Sequence, residues 1–411
     1  MATLRSLIYI SNGNLPSKMA HTIQIAKMGQ ALSQKVNHFE LVTGGDIQSA
    51  FEGMNAGFQN WYGLHSRYNL IRLPLHIKVN YPFPPSYKNQ AFCKLASLYT
   101  CLKAPSLVYT RDAKTAEILL AIGIPVLWEE HHILDNESPY CKLLLNKNLV
   151  GFVTISPEIA EAYLKQGLSP AKSLIAHSAV DSQSFLPYQT KEFARAKLSF
   201  CQQEKLILYS GHLYDYKGVP TIIETAILLP EYTFVLVGGW EDDIKKTKDI
   251  CTSKNINNIK VVGHVSQTEL ISYLYAADVL LLPTSKSWEQ AQRTSPLKLF
   301  EYMFVKRPIV ASALSNIRTI LRHEENALLT EPDEPLGFKQ AIDKLIKNSV
   351  LADSLAEKAF QEVQYFTWNN RAEKVLEFAI ARLQQMNKPT NNSRANLLKY
   401  IQLSHKKLVR Q

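Results

Sequence analysis

The sequence predicts an α/β protein built from two doubly wound parallel sheets, and three observations carry that expectation. Its apolar segments are short, rich in β-branched residues and separated by amphipathic stretches of helical length, the pattern of parallel strands covered on both faces. The alternation pauses near Asp181 and then restarts. The 411 residues exceed one small domain and suit two of about 200 residues each.

In the first half, strands are expected at 7–11, 39–44, 106–111, 125–130, 150–156 and 172–177. Helices are expected at 20–34, 89–102, 113–121 and 157–166. Residues 58–87 carry Pro74, Pro82, Pro84 and Pro85 among many aromatics and read as an irregular insertion with no assigned element. The first domain is placed at 1–185, and the mixed polar stretch 182–205 reads as an interdomain connection. Strands then recur at 205–211, 232–239, 259–264, 278–284, 307–312 and 327–332 within a second domain at 200–367. The helices between and after them are expected at 219–229, 244–253, 267–276, 296–305, 337–346 and 351–365. A helix at 368–385 comes next, and then a tail, 387–411, in which residues 388–411 hold six Lys/Arg and no acid. Leu397, Leu398, Ile401, Leu408 and Val409 fall on one side of a helical wheel in that tail, with lysines opposite. Either an interfacial helix on anionic lipid or a solvated basic tail fits that pattern.

A hydrophobic content of 46% with 20% charged residues is ordinary for a globular protein. No apolar run approaches the ~18 residues of a membrane span, and the apolar core at 7–10 is too short for a signal peptide. Five cysteines, an odd number with no CxxC pair, point to reduced thiols in a cytoplasmic protein and away from zinc or disulfides. The net charge of +10 fits an anionic substrate, an anionic membrane surface or nucleic acid and does not choose among them. No strand-linked GxGxxG, Walker lysine loop or GxSxG elbow is present, which weakens dinucleotide oxidoreductase, P-loop and serine hydrolase readings. Glu241, Asp242 and Asp243 stand at a helix start, where the dipole explains acids without a metal.

Several residues carry chemistry by position. Ser295-Pro296 opens a predicted helix, and unpaired N–H groups at a helix start bind anions. Glu301, one turn in, is either a solvated acid or a grip for a ribose. In the loop after the first strand of the second half, Gly211 permits a tight turn and Lys217-Gly218 precedes a helix. A lysine there is either solvated or a point charge for phosphates. His21, after Gly13, Ser17 and Lys18, is either a helix-capping residue or a ligand contact from a loop. His131 and His132 follow Glu129 and Glu130 at a strand's carboxyl end, where active-site groups collect. Arg111 ends another strand and either orients that cluster or forms an ordinary ion pair.

The blocks YSGHLYDYKGVPTIIETAILLPEYTFVLVGG, IKVVGHVSQTELISYLYAADVLLLPT and SPLKLFEYMFVKRPIVAS, in that order from Tyr209 to Ser312, resemble the C-terminal domain of glycosyltransferase family 4. The segments 11–32, 108–112, 127–132, 154–167 and 177–185 resemble its N-terminal domain more loosely, and 365–378 resembles its last helix, which crosses back onto that domain. The resemblance implies the GT-B fold, two Rossmann-like domains facing each other across a cleft. It implies a retaining, metal-independent transferase with no resident cofactor. The donor would be a UDP- or GDP-linked sugar and the acceptor a hydroxyl, with a lipid-linked acceptor of cell-envelope synthesis as one candidate and no nucleic acid partner. A cytoplasmic location, peripheral on the inner membrane face, would suit such an acceptor.

Carried over by position, Lys217 would contact the donor diphosphate, together with the phosphate-loop residue His212. Glu301 would hold the ribose, and Thr294, Ser295, Pro296 and Leu297 would cradle phosphate and sugar. Gly263, His264 and Val265 would pack on the base, and His131 would lie beside the transferred sugar. Gly13, Ser17, Lys18, His21, Arg111, Glu129 and His132 would form the acceptor side. Two positions depart from the family pattern. His212 stands where an Arg is frequent, and Arg293 stands where a second Glu, eight positions before Glu301, is usual. These departures keep a non-catalytic sugar-nucleotide-binding protein, or a GT-B epimerase or phosphorylase, as alternatives. Arg293 would face the phosphates or read an acidic sugar such as a uronic acid. Improved transfer from neutral donors by Arg293→Glu, with uronic donors unaffected, would sink the second role.

Overall fold

A computed structural model describes residues 4–17, 19–45, 53–74 and 85–386. Lys18 and the basic tail at 387–411 therefore lie outside the described residues. The chain divides into a first unit, Met1–His177 with Trp368–Gln411, and a second unit, Ser178–Thr367.

The first unit holds a seven-stranded parallel sheet. Its strands are β1 (Ser6–Asn14), β2 (His38–Gly45), β3 (Asn69–Pro74), β4 (Leu107–Thr110), β5 (Val126–Glu129), β6 (Leu149–Thr154) and β7 (Ser173–Ile175). They run in the order β3-β2-β1-β4-β5-β6-β7. Every residue of β4, β5 and β6 is buried, because helices cover both faces of a parallel sheet. The covering helices start where side chains accept orphan N–H groups: Asp112 caps the Ala113–Ala121 helix, and Ser156 caps the Pro157–Lys165 helix ahead of a first-position proline. The Trp368–Gln385 helix returns to this unit. Its Phe378 ring occupies the space a Cβ on Gly151 of β6 would fill, which explains a glycine in a fully buried strand.

The expected irregular insertion at 58–87 is partly regular. A short helix, Ala56–Trp61, and the edge strand β3 lie in or across it. NLIRLP escapes sequence reading because it ends in proline, which only an edge strand tolerates.

The second unit holds six parallel strands: β8 (Leu206–Ser210), β9 (Thr233–Val237), β10 (Ile259–Gly263), β11 (Val279–Leu282), β12 (Ile309–Ser312) and β13 (Leu328–Thr330). Their order is β10-β9-β8-β11-β12-β13. The expected end of the first domain, at 185, is too late, since residues 178–185 belong to this second unit. Val180 and Phe185 are buried in its core, and the Val180 N–H donates to the Phe366 carbonyl. The expected connection at 182–205 is likewise packed. It contains the Lys191–Lys197 helix, whose buried Arg195 donates to the Ala276 and Gln202 carbonyls and pairs with Asp278 at 2.6 Å. Among the described residues no helix is long and apolar enough to cross a membrane.

Gly218 fixes where the loop after β8 ends. It sits at φ 86°, and a Cβ there would stand 1.8 Å from the Pro283 carbonyl oxygen. Gly218→Ala should therefore cost roughly 3 kcal/mol, from left-handed strain plus overpacking. A chemical denaturation midpoint unchanged from wild type would contradict this account of the loop.

Candidate active site

In the second unit the strand order reverses between β8 and β11, the place where open α/β sheets bind ligands at their carboxyl ends. The loop leaving β8 is closely specified. Gly211 takes φ 133°, the Tyr209 hydroxyl donates to the His212 carbonyl at 2.6 Å, and a single helical turn, Asp215–Lys217, runs into Gly218. That turn delivers Lys217 to the loop after β11, where its Nζ lies 4.0 Å from the centroid of the Trp288 ring and 5.2 Å from that of Tyr216. Burial pulls the Lys217 ammonium down to about 8.

The Leu297–Phe304 helix brings the opposing side. Its Leu299, Phe300, Tyr302, Met303 and Phe304 are buried, and the Tyr302 hydroxyl accepts the Ser210 N–H at 2.8 Å, pinning the helix to the end of β8. Lys298 and Glu301, three residues apart, share the remaining face. The Lys298 Nζ lies 3.9 Å from the Tyr209 ring centroid and fills the space beside Gly211, 2.5 Å from where a Cβ would stand. Burial and the charge of Lys217 hold Lys298 well below the ordinary lysine range, with Glu301 acting in the opposite sense. Lys217, Lys298 and Glu301 thus converge. Among the described residues no carboxylate lies within ion-pair distance of either ammonium.

Neighbouring residues are placed less freely. The Ser295 hydroxyl accepts the Ser178 N–H at 2.8 Å, and its carbonyl accepts from the Ser178 hydroxyl at 2.7 Å, so this side chain holds the backbone in place. The Thr294 carbonyl accepts from Asn316 at 2.7 Å. Pro296 precedes the helix with no side-chain cap, ahead of Leu297, which leaves its first N–H groups available to an anion. Arg293, half-buried at the end of a short turn, has its nearest acid, Glu289, at 3.9 Å.

Beside Lys217 the loop is aromatic. His212 stacks between Tyr214 and Trp240 with centroids at 5.1 and 5.5 Å, and the stack continues through Tyr216 to Trp288. The His212 Nδ1 is buried with no hydrogen-bond partner. Burial, then the charges of Lys298 and Lys217, lower its pKa and keep the ring neutral. His264, exposed after β10, is close enough to act on His212 electrostatically. Gly263 takes φ 88° with its carbonyl bonded to the Gly238 N–H, and Val265 packs on the core.

In the first unit the reversal lies between β1 and β4. Near the end of β1 the Gly13 carbonyl accepts from Thr43, and past it the Ser17 N–H donates to the Tyr62 hydroxyl. His21, in the first turn of the Ala20–Ser33 helix, is lowered by partial burial and by Arg111. Arg111, just past β4, donates to Gln24 at 3.3 Å and to the Nδ1 of His131 at 2.7 Å. A guanidinium only donates, so Nδ1 accepts and Nε2 carries the proton, which it donates to Glu129 at 2.5 Å. Burial and then Arg111 bring His131 down to about 4. Its ring is therefore neutral and committed at both nitrogens. Burial raises Glu129, but Arg371 at 3.0 Å and His131 outweigh it and leave the carboxyl lowered. Glu130 accepts the His131 and His132 N–H groups, yet burial lifts it to about 7. His132 is exposed, with its carbonyl taken by the Tyr163 hydroxyl.

Sequence reasoning misses Lys298 and Arg371. The spacing from Lys298 to Glu301 on one helix face is a usable signal. Arg371 has none, since it reaches Glu129 from 242 residues away. Among the described residues no group of three or more His, Cys, Asp or Glu is placed to hold a metal.

Residues 190–362 match the family described as glycosyl transferases group 1. A D-inositol 3-phosphate glycosyltransferase of a Nocardioides species is 22% identical over 227 residues, 51% of this chain and 48% of the relative. The chain thus spans about half the length of that curated relative. Among solved structures, sucrose-phosphate synthase from Thermosynechococcus elongatus superposes with a TM-score of 0.70 at 19% identity, covering 93% of this chain and 98% of its own. Anabaena HepE, solved in complex with UDP and glucose, superposes with a TM-score of 0.68 at 16% identity, covering 92% and 100%. With parallel sheets of seven and six strands, the chain has the GT-B fold, and its residues 190–362 match the glycosyl transferases group 1 family.

Proposed function

We propose that the protein transfers a glycosyl group from a nucleoside-diphosphate sugar to an acceptor hydroxyl, with retention of anomeric configuration. One observation carries the reading: two ammonium groups, Lys217 and Lys298, converge beside Glu301 at the sheet's switch point, with no acid among the described residues ion-paired to either. A pocket with two ammonium groups and one neighbouring carboxylate is net positive and suits an anionic ligand. That HepE, a structure of similar fold, was solved in complex with UDP supports a nucleotide ligand. Glu301 is assigned to the ribose hydroxyls.

In this reading the anomeric C–O bond breaks with its electron pair passing to the departing diphosphate, the acceptor oxygen bonds to the anomeric carbon, and the acceptor proton leaves with the diphosphate. The lysines and the N–H groups of the Leu297–Phe304 helix stabilise the charge that develops, the contribution that usually dominates such catalysis. No resident cofactor is assigned. On the first unit, the neutral His131, fixed by Arg111 and Glu129, is a shaped wall rather than a free base, and His21 and Arg111 are assigned to the acceptor. The acceptor's nature rests on sequence: six Lys/Arg and no acid in residues 388–411 suit an acceptor at an anionic surface.

Lys217→Ala and Glu301→Ala should each lower turnover by about two orders of magnitude, measured as nucleoside diphosphate released in the presence of acceptor. Near-wild-type transfer by either variant would remove the assignment. A thermal-shift panel of nucleotide sugars should raise apparent stability only for the donor that binds.

The depressed Lys217 also sets a pH dependence. Below about 8 the free protein carries the charge, so diphosphate affinity should fall as pH rises through that value. Without ligand the same charge is a burden. Lys217→Met should stabilise the free protein at pH 7 by on the order of 1 kcal/mol, discounted for partial exposure. Between about 8 and the ordinary 10.5 the unfolded chain holds a proton the folded one lacks, so wild-type stability rises with pH and the gap narrows. Denaturation midpoints at pH 7 and 10 measure both; a Lys217→Met variant less stable than wild type at pH 7 contradicts the account.

A further inference from the structure

We propose that Lys298 is a second phosphate-binding cation, paired with Lys217 across the loop after β8, and that this pair makes the site discriminate a diphosphate from a monophosphate. The inference rests on the nucleotide reading above and adds to it a residue and a selectivity.

The geometry carries it. Lys298 stands in the first turn of the Leu297–Phe304 helix, the end where N–H groups favour an anion. Its ammonium is not a solvated surface charge. It lies over the Tyr209 ring at 3.9 Å and against the bare Cα of Gly211. Tyr209 is itself locked by its hydroxyl bond to the His212 carbonyl, so the surface under the ammonium is rigid. Glycine is favoured at 211 by its φ of 133°, and the absence of a Cβ there leaves room for the Lys298 Nζ.

Two like charges held close in partly buried surroundings repel, and folding does not favour such a pair unless something anionic offsets it. The acid that acts on Lys298 is Glu301, one charge against two ammonium groups, which leaves the cluster net positive. The ammonium groups come from separate rigid elements, a glycine-bounded turn and a helix start, so they present two donor sets rather than one. A diphosphate spreads its charge over two phosphoryl groups and meets both. A monophosphate meets one fully. His212 adds a neutral ring whose buried Nδ1 has no partner, a hydrogen-bonding atom beside the two cations that repels no phosphate.

The test is calorimetric titration of wild type, Lys298→Met and Lys298→Gln with UDP, UMP, GDP, GMP and inorganic pyrophosphate. Far-UV circular dichroism and the melting temperature serve as the check on folding. Met keeps the aliphatic contact with Gly211 and Tyr209, so a folded variant is expected. Loss of one charge-assisted contact should weaken the preferred nucleoside diphosphate and pyrophosphate about 10- to 100-fold, with the monophosphate weakened several-fold less. If either folded variant keeps the wild-type ratio of diphosphate to monophosphate affinity, the proposal is overturned while the transferase reading stands. If pyrophosphate binds in a Lys298-dependent way and no nucleoside diphosphate binds, the cation pair stands and the nucleotide reading falls. If wild type binds neither pyrophosphate nor any nucleotide, both fall.

Discussion

Everything distinctive in the second unit depends on placing two ammonium groups against aromatic rings, with no acid among the described residues paired to either. Such an arrangement costs stability in the free protein, since burying a cation without a counter-ion is unfavourable. The backbone around it is tightly set: Gly218 is wedged against the Pro283 carbonyl, and Gly211 takes a φ of 133° that favours glycine. The Tyr302 hydroxyl ties the helix bearing Lys298 and Glu301 to the end of β8. The core beneath thus holds a net positive cluster of two ammonium groups and one acid, which under the proposed function is electrostatic preorganisation for an anionic donor.

The first unit solves a different problem. Its buried charges are paired in series: Arg111 to His131, His131 to Glu129, Glu129 to Arg371. His131 and Arg371 both donate to Glu129 Oε1, while Oε2 is buried without a hydrogen-bond partner, and the imidazole tautomer is dictated by the guanidinium's inability to accept. This arrangement gives rigidity and a defined surface rather than a reactive base. Glu130 is the exception, a carboxyl lifted by burial although two backbone N–H groups donate to it. One unit therefore holds two ammonium groups without an ion-paired acid among the described residues, and the other links its buried charges in a row.

Sequence kinship is concentrated where the cationic site is built. Residues 190–362 carry the family match, and they include Lys217, Lys298 and Glu301. The structural likeness extends over 93% of the chain at 19% identity, a level at which it speaks for the fold alone. The donor reading therefore rests on the chemistry of individual side chains, and retention rests on the family resemblance.

Local and periodic features were legible in the residues alone. Short apolar runs announced twelve of the thirteen described strands, most clearly the fully buried β4, β5, β6, β8, β11 and β12, because a strand buried on both faces must be apolar along its whole length. The glycines and lysine around 211–218 and the acid at 301 were visible as types at fixed spacing. Three other matters were set by long-range packing. The edge strand β3 hid behind a terminal proline, since edge pairing relaxes the rule that identifies central strands. Arg371 reaches its acid only because the last helix returns to the first sheet. Lys298 reads as one more surface lysine in an amphipathic helix until Gly211 and Tyr209 are brought beneath it. Whether a charge is solvated or enclosed depends on the groups that pack against it from distant parts of the chain, and no local pattern encodes that.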